Sequence, residues 1–453
     1  MTLEDKYDEM TQQPVKLLVL KMAVPTIIAM VTTALYNVVD AAFIGRLSTE
    51  GTAGIGISFA YMTFIQALGF FFGHGSGNFI SRALGAKDAS SASVVASVGV
   101  ITPFLLGLLA AIICLPNLSA LSVLLGAPPE VVPYANDYLR YIVAATPFMM
   151  SALTLNNQLR LQGNARFGMV GIVSGALLNI ALDPLLIFTL GMGVSGASLA
   201  TAISQLFSWS LLVYGTTKPD SVHISLRNFK PTLRVYYEIF RGGLPSLCRQ
   251  LFNCAAAVSL NYCAANYAPA GQEASAVAAF AVVTRIMMFA FSVVLGFCQG
   301  FQPVCGFNYG AKLYGRVRES YMFALTGSAA FLTVISTIGF ILAPQIVTLF
   351  RAEDPELIRI GATTLRWQCA AFPLCSLITS TNMLFQNIRM TFPATLLSIG
   401  RNGIFFLPAI LLLPLLLGLQ GVQMAQAVAD LLTFLLSLPY AIWISRKLKR
   451  MAG

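Results

Sequence analysis

Charge is what this sequence has least of. Lys, Arg, Asp and Glu fill only 10% of 453 positions, where a soluble domain runs near a quarter charged, so they cannot cover the surface of a water-soluble chain this long. Acid is scarcer than base, with 18 Asp and Glu against 28 Lys and Arg. Histidine occurs only as His74 and His223, too few and too far apart for a metal site, and His74 is expected at a helix end near the cytoplasm. The eight cysteines (Cys114, Cys248, Cys254, Cys263, Cys298, Cys305, Cys369 and Cys375) lie in apolar stretches without CxxC spacing, which assigns them to packing and not to disulfides or metal. Neither HExxH nor GxSxG occurs, so the nucleophile and base motifs of an intramembrane enzyme are missing. The segment Leu3-Glu4-Asp5-Lys6 is acidic and lacks the basic n-region of a secretory signal, so the first hydrophobic helix is expected to stay in the protein.

What the chain does have is apolar length. Hydrophobic residues make up 57% of it, with a mean hydropathy of +0.76. They fall into runs near 17–45, 53–80, 92–114, 135–160, 167–190 and 194–216, then, past a more polar stretch at 217–235, near 236–266, 274–304, 320–347, 360–388, 393–417 and 420–445. Most exceed the roughly 20 residues that cross a ~30 Å hydrocarbon core as helix. The expected fold is therefore an all-α integral membrane protein of twelve transmembrane helices.

A formal charge of +10 would also suit a nucleic-acid binder, but the placement of the basic residues points to a membrane. Counting from a cytoplasmic N-terminus, the inner loops carry Arg82, Lys87, Arg160, Arg166, Lys218, Arg227, Lys230, Arg234, Lys312, Arg316, Arg318 and Arg389, and the C-terminal tail adds Arg446, Lys447, Lys449 and Arg450. The outer loops hold little beyond Arg46, Arg351 and Arg359, and the connections 116–133, 191–194, 264–273 and 415–420 hold no Lys or Arg. That asymmetry is the positive-inside rule and puts both termini in the cytoplasm of a multi-pass plasma-membrane protein.

The second half echoes the first at an offset of about 225. Gly75 falls on Gly300 and Gly85-Ala86-Lys87 on Gly310-Ala311-Lys312; with one-residue adjustments Pro147 meets Pro373, Gln162 meets Gln386, Pro184 meets Pro408, Gly196 meets Gly421 and Gln205 meets Asp430. Six crossings return the chain to its starting side, so the halves, 1–220 and 221–453, are expected to be six-helix lobes related by a pseudo-twofold axis along the membrane normal. Two such lobes leave a central cleft that rocking opens to either side.

A carboxylate in hydrocarbon costs at least ~2.5–3.5 kcal/mol, so each one at depth calls for a reason. By helical rise Asp40 stands ~29 Å beyond Lys21 and Asp183 ~24 Å beyond Phe167, both in the outer half, with Asn179 one turn before Asp183. Thr201 and Tyr138 reach a comparable depth. Hard oxygen ligands of this kind suit H⁺ or a small cation such as Na⁺. The competing reading is that Asp183 satisfies backbone groups freed by Pro184 while Asp40 sits among head groups. In the second half Asp430 is the one acid at depth, and Arg285, ~16 Å from the outer surface, either pairs with it or faces the cleft. Arg249 and Arg401 lie nearer the cytoplasm and are expected to snorkel.

These residues resemble the multidrug and toxic compound extrusion (MATE) family. The most specific match is Gln299-Gly300-Phe301-Gln302-Pro303 running to Gly306-Phe307-Asn308-Tyr309-Gly310-Ala311-Lys312. Pro25, Tyr36-Asn37-Val38-Val39-Asp40, Phe43-Ile44-Gly45, Gly163-Asn164 and Asn179 with Asp183-Pro184 support it across nearly the whole chain. The resemblance is to the branch of the DinF and MepA exporters, and it implies a first-lobe cation site of Asp40, Asn179, Asp183, Thr201 and Tyr138, with Tyr36 and Asn37 beside it. The NorM branch instead uses acids in helices seven, eight and ten, where this chain has none. The expected activity is multidrug antiport of amphipathic or cationic small molecules against H⁺ or Na⁺, by a monomer without cofactor or nucleic acid. Candidate cleft residues are Thr33, Asn156, Met287, Met288, Phe289 and Gln299, which at these spacings also suit an ordinary core. The alternatives are a lipid-linked saccharide flippase, which usually has more helices and a basic cleft, and a receptor or channel.

Overall fold

A computed structural model describes residues 2–45, 47–269, 271–350 and 354–452, and of Ala41 the backbone only. Arg46 and Arg351 lie outside the described residues. In chain order the helices are α1 (Leu3–Gln12), α2 (Val15–Ile44), α3 (Thr49–Gly85), α4 (Ala89–Cys114), α5 (Leu118–Leu124), α6 (Val132–Leu161), α7 (Ala165–Pro184), α8 (Gly193–Thr216), α9 (Leu233–Asn266), α10 (Glu273–Gly310), α11 (Tyr314–Ile341), α12 (Ala343–Thr348), α13 (Pro355–Ala371), α14 (Cys375–Asn387), α15 (Thr391–Ile399), α16 (Phe406–Leu417) and α17 (Leu419–Ala452). No strand occurs among the described residues.

Twelve spans result, as the runs of apolar residues require: α2, α3, α4, α6, α7, α8, then α9, α10, α11, the broken pair α13–α14, the pair α15–α16, and α17. By length and composition alone nine helical stretches qualify among the described residues. The other three, α6, α9 and α13–α14, are diluted by Asn156, Asn157, Arg160, Arg249, Asn382 and Gln386. Backbone groups in hydrocarbon must bond within the span, so helix is the form open to all of them.

The sequence repeat reappears as repeated geometry. Lys87 and Lys312, which close α3 and α10, both take a left-handed backbone (φ 60° and 61°). Gly163 and Arg389, just past α6 and α14, do the same (φ 85° and 65°). The Asn156 side-chain amide donates to the Gly168 carbonyl at 2.9 Å, tying α6 to α7, and that of Asn382 donates to the Ala394 carbonyl at 2.6 Å, tying α14 to α15.

Helices in lipid gain little from apolar burial against one another, so close approach decides their packing. A Cβ at Gly75 of α3 would stand 2.2 Å from the Ile239 carbonyl oxygen of α9, and one at Gly300 of α10 would stand 2.3 Å from the Ala23 Cα of α2. Gly85 meets the Phe307 carbonyl oxygen and Gly310 that of Arg82 in the same way, each at 2.1 Å. These paired crossings join the two halves at one end of the molecule. That end holds both termini: Arg316 of α11 donates to the Gln13 carbonyl at 2.6 Å, and Gly315 lies against Ala452. The largest packed core, with Leu18, Val19, Phe301, Phe307 and Phe385, fills the same seam.

Helix α1, which no hydrophobic run announces, caps this end. Thr2 and Asp5 form its capping box, Met10 is fully buried, and the Met10 carbonyl accepts from Asn308 of α10 at 3.0 Å. Lys87 sits 4.5 Å over the Tyr7 ring. Burial raises the pKa of Glu9, but the bonded Lys21 and Lys6 beside it outweigh that and hold the carboxyl below its ordinary range. A depressed carboxyl contributes stability above its unfolded pKa, about 4.3, and loses it as pH falls through the lower folded value. The emission of a Tyr7→Trp variant should therefore stay constant from pH 8 to 5 and shift to the red below about pH 4, and Glu9→Gln should remove the transition.

Candidate functional site

Helix α2 packs along α7, and this brings two acids of the first lobe together. Tyr36 and Asp40 share one face of α2 and Asn179 and Asp183 one face of α7, each pair four residues apart as a helical turn demands. The carboxyl of Asp40 comes within hydrogen-bonding reach of that of Asp183. Asp183 is fully buried and Asp40 half-buried. Asn179 donates to Asp183 Oδ1 at 3.4 Å and to Thr201 Oγ1 of α8 at 3.5 Å, while the Thr201 hydroxyl donates to the Ala197 carbonyl at 3.1 Å. Asp40 and Asp183 are close enough to act electrostatically on the phenols of Tyr36 and Tyr138, and the Tyr138 hydroxyl, buried on α6, is directed to the Met62 sulfur at 3.5 Å. Asn37 is exposed on the adjoining strip of α2.

Two acceptor atoms at this site, Asn179 Oδ1 and Asp183 Oδ2, are buried without a hydrogen-bond donor. The hydrogen bond that Asp183 accepts comes from the Asn179 side chain and not from backbone, although the helix turns directly into a π-turn at Leu185–Thr189. Like charges ~4 Å apart repel by about 4 kcal/mol at an effective dielectric near 20, so two carboxylates in contact need a proton or a cation between them. The oxygen-only donor set suits either, as hard cations prefer oxygen.

The second lobe differs from the expectation. Asp430 of α17 does not pair with Arg285; it accepts from Arg401 Nε at 2.8 Å and Arg401 Nη2 at 3.4 Å, from Gln426 at 2.9 Å, and from Cys375 at 3.4 Å. Arg401 does not snorkel, because the π-turn Gly400–Ile404 rotates it inward, where it also lies 4.8 Å over the Phe291 ring. Arg285 is exposed on α10. Asp430 is thus held in a buried ion pair with Arg401.

Other expectations fall differently too. His74 is not at a helix end but inside α3 and fully buried, with Nδ1 3.2 Å from the Phe70 carbonyl and Nε2 3.3 Å from Arg160. Arg160 is not a loop residue: it is 3% exposed within α6 and bonds across the seam to the Gln299 carbonyl at 2.7 Å and to Gln302 Oε1 at 2.8 Å. Among the proposed cleft residues, Asn156 and Gln299 are buried, the first spent on the α6–α7 tie already described. Thr33, Met287 and Phe289 are half-buried, Thr33 donating to the Ala29 carbonyl at 2.8 Å, and Met288 is exposed. Sequence reasoning missed the Arg160 cluster, although an arginine at the end of an apolar run was the available signal.

The MatE family's sequence model matches residues 25–185 and 256–411. The multidrug export protein MepA of Staphylococcus haemolyticus (strain JCSC1435) is 27% identical over 420 residues, covering 90% of this chain and 89% of that protein. MepA of Staphylococcus aureus (strain MSSA476) is 26% identical over 431 residues and 92% of each chain. Among solved structures, a multidrug resistance MATE family transporter of the MOP superfamily in an outward-facing conformation superposes with a TM-score of 0.90 at 28% identity over 98% of each chain. A MATE crystal structure in complex with MaL6 superposes with a TM-score of 0.91 at 28% identity over 98% of this chain and 99% of that one.

Proposed function

The chain belongs to the MatE family, whose members are transporters and not enzymes, and from that premise we propose that it exports amphipathic or cationic small molecules by antiport against H⁺ or Na⁺. The observation that carries this reading is the contact of Asp40 with Asp183 beside two buried oxygens without donors. A cation or proton arriving from outside relieves the repulsion between the carboxyls and draws α2 and α7 together. Its loss to the inside separates them again. Ion and cargo thereby each stabilise a different arrangement of the same lobes, which is the thermodynamic requirement for exchange.

In this reading the boundary between the lobes lies near 220, the termini are cytoplasmic, and the seam sealed by α1 and the paired glycines is the closed inner gate of an outward-facing state. Thr33, Met287, Met288 and Phe289 line the cargo path, and the protein acts as a monomer. The test is ethidium movement in vesicles holding the purified chain, with a pH difference or a Na⁺ difference imposed singly. Uphill ethidium movement under one of them is the expected result. Movement only down the dye's own gradient under both would overturn the reading.

A further inference from the structure

Beside the glycine crossing of α3 and α9 the seam opens sideways into a groove of about 670 Å³. One wall is Phe71 and Phe72 of α3, and the other is Arg234, Tyr237 and Phe240 of α9, so each lobe supplies a side. The two helices touch just beyond it: a Cβ at Gly243 of α9 would stand 2.2 Å from the Phe71 carbonyl oxygen. The Tyr236 hydroxyl lies 3.0 Å from that of Thr102, which ties α9 to α4 on the same side. Leu233, Tyr237 and Phe240 leave 88%, 57% and 46% of their surface open.

Apolar surface on a membrane helix needs no partner but lipid, so what distinguishes this groove is its charge. Arg234 is exposed and is the one charged side chain in the lining among the described residues. Glu238, one turn further along α9, does not answer it and pairs with Arg389 instead. Arg241 stands 5.5 Å over the Tyr237 ring, and its Nη2 donates to the Arg389 carbonyl at 3.4 Å. Neither Arg234 nor Arg241 joins an ion pair among the described residues. Arg234 belongs to the first turn of α9, and Phe240 lies about 9 Å deeper along the helix. Unanswered positive charge at the mouth and aromatic surface below it repeat the order of a phospholipid, head group first and chains beneath.

We propose that this groove binds an anionic phospholipid, its phosphate on Arg234 and one acyl chain laid between Phe71, Phe72 and Phe240. A planar guanidinium bonds phosphate oxygens with two parallel N–H donors. A zwitterionic lipid offers the same phosphate but brings a cation toward Arg234 and Arg241, so net negative charge decides the preference. Each arginine near an anionic head group favours it by about fivefold. Because the walls belong to different lobes, the bound lipid holds them together and favours the closed seam. That the leaflet is the cytoplasmic one and the seam a gate rests on the antiport reading above; the lipid site itself does not.

The test puts a reporter in the groove, Phe240→Trp, in the full chain held in phosphatidylcholine nanodiscs with a minor fraction of brominated phosphatidylglycerol or brominated phosphatidylcholine. Quenching of the added tryptophan is read after subtracting the signal of Trp209, Trp367 and Trp443 in the parent chain. Phosphatidylglycerol should reach the reporter with about fivefold higher apparent affinity than phosphatidylcholine. Arg234→Gln should bring that preference below about twofold, and Arg234→Lys should retain it. Lys449→Gln, which removes the same charge from an exposed turn of α17, should leave it unchanged. A second reading needs no reporter: phosphatidylglycerol should raise the unfolding temperature of the wild-type chain in detergent more than phosphatidylcholine does, and Arg234→Gln should erase the difference. Equal quenching by the two lipids, or an equal effect of Lys449→Gln and Arg234→Gln, would sink the proposal. Displacement of the brominated lipid by ethidium would sink it too, making the groove a portal for cargo. Uphill ethidium transport is measured apart, so a chain that transports without lipid preference loses this site and keeps the antiport reading.

Discussion

Asp183→Asn is expected to reduce gradient-driven efflux by about 5- to 150-fold, the range that a coupling free energy of about 1–3 kcal/mol supplies, while substrate still binds. Asparagine keeps the size and the buried hydrogen bond to Asn179 but removes the charge that, in the proposed antiport, brings an ion between Asp40 and Asp183. Asp40→Asn should give the same phenotype from the other side of the contact. The double variant should be little worse than either single one, because two residues holding one ion act as a unit and do not add. The measurement is the ethidium assay under the effective gradient, with equilibrium dye binding as the control. Normal uphill transport in both single variants would end the assignment.

Breaking the Arg401–Asp430 pair should cost stability and not coupling. Asp430 is almost fully buried, and Arg401→Met leaves its charge with only Gln426 and Cys375 as donors. Losing one partner of a buried ion pair costs about 3–5 kcal/mol, whereas replacing both with apolar residues of similar volume is often neutral. Arg401→Met should therefore unfold in detergent at a markedly lower temperature. Asp430→Leu should be milder, since Arg401 is 22% exposed and retains the Phe291 ring, and Arg401→Met with Asp430→Leu should return close to wild type. Normal stability in Arg401→Met would show the pair to be energetically idle, and lost ion coupling in the double variant would move Asp430 into the transport machinery.

The spans and the repeat were legible because a bilayer leaves the chain few choices. Most apolar runs became single helices, while 320–347, 360–388 and 393–417 each split in two, and the echo of Gly85-Ala86-Lys87 in Gly310-Ala311-Lys312 reappears as matching left-handed turns. The contact of Asp40 with Asp183 was partly legible, since helical rise gives the depth of a residue. Rise says nothing of the direction in which a residue points around its helix. For that reason Arg285 looked a fit partner for Asp430 while the π-turn delivered Arg401. Arg160 and His74 were misread for a related reason. Arg160 stands one residue before the end of α6, and only the packing of α3 and α10 past that end makes the site an interior. Helix α1 carries no apolar run, and its burial depends on partners hundreds of residues away.

Where Gly75, Gly85, Gly300 and Gly310 meet the opposite half, backbone lies against backbone, with Ile239 Cγ2 and Ala23 Cβ beside two of the crossings. Those four crossings part without a side chain of the glycine to withdraw, whereas the core of Leu18, Val19, Phe301, Phe307 and Phe385 in the same seam must be unpacked. Resistance to opening is then shared between that apolar core and polar ties such as Arg160 to Gln302. The ties yield by exchanging hydrogen bonds and the core by repacking, and the slower of the two would set how fast the molecule changes the side it faces.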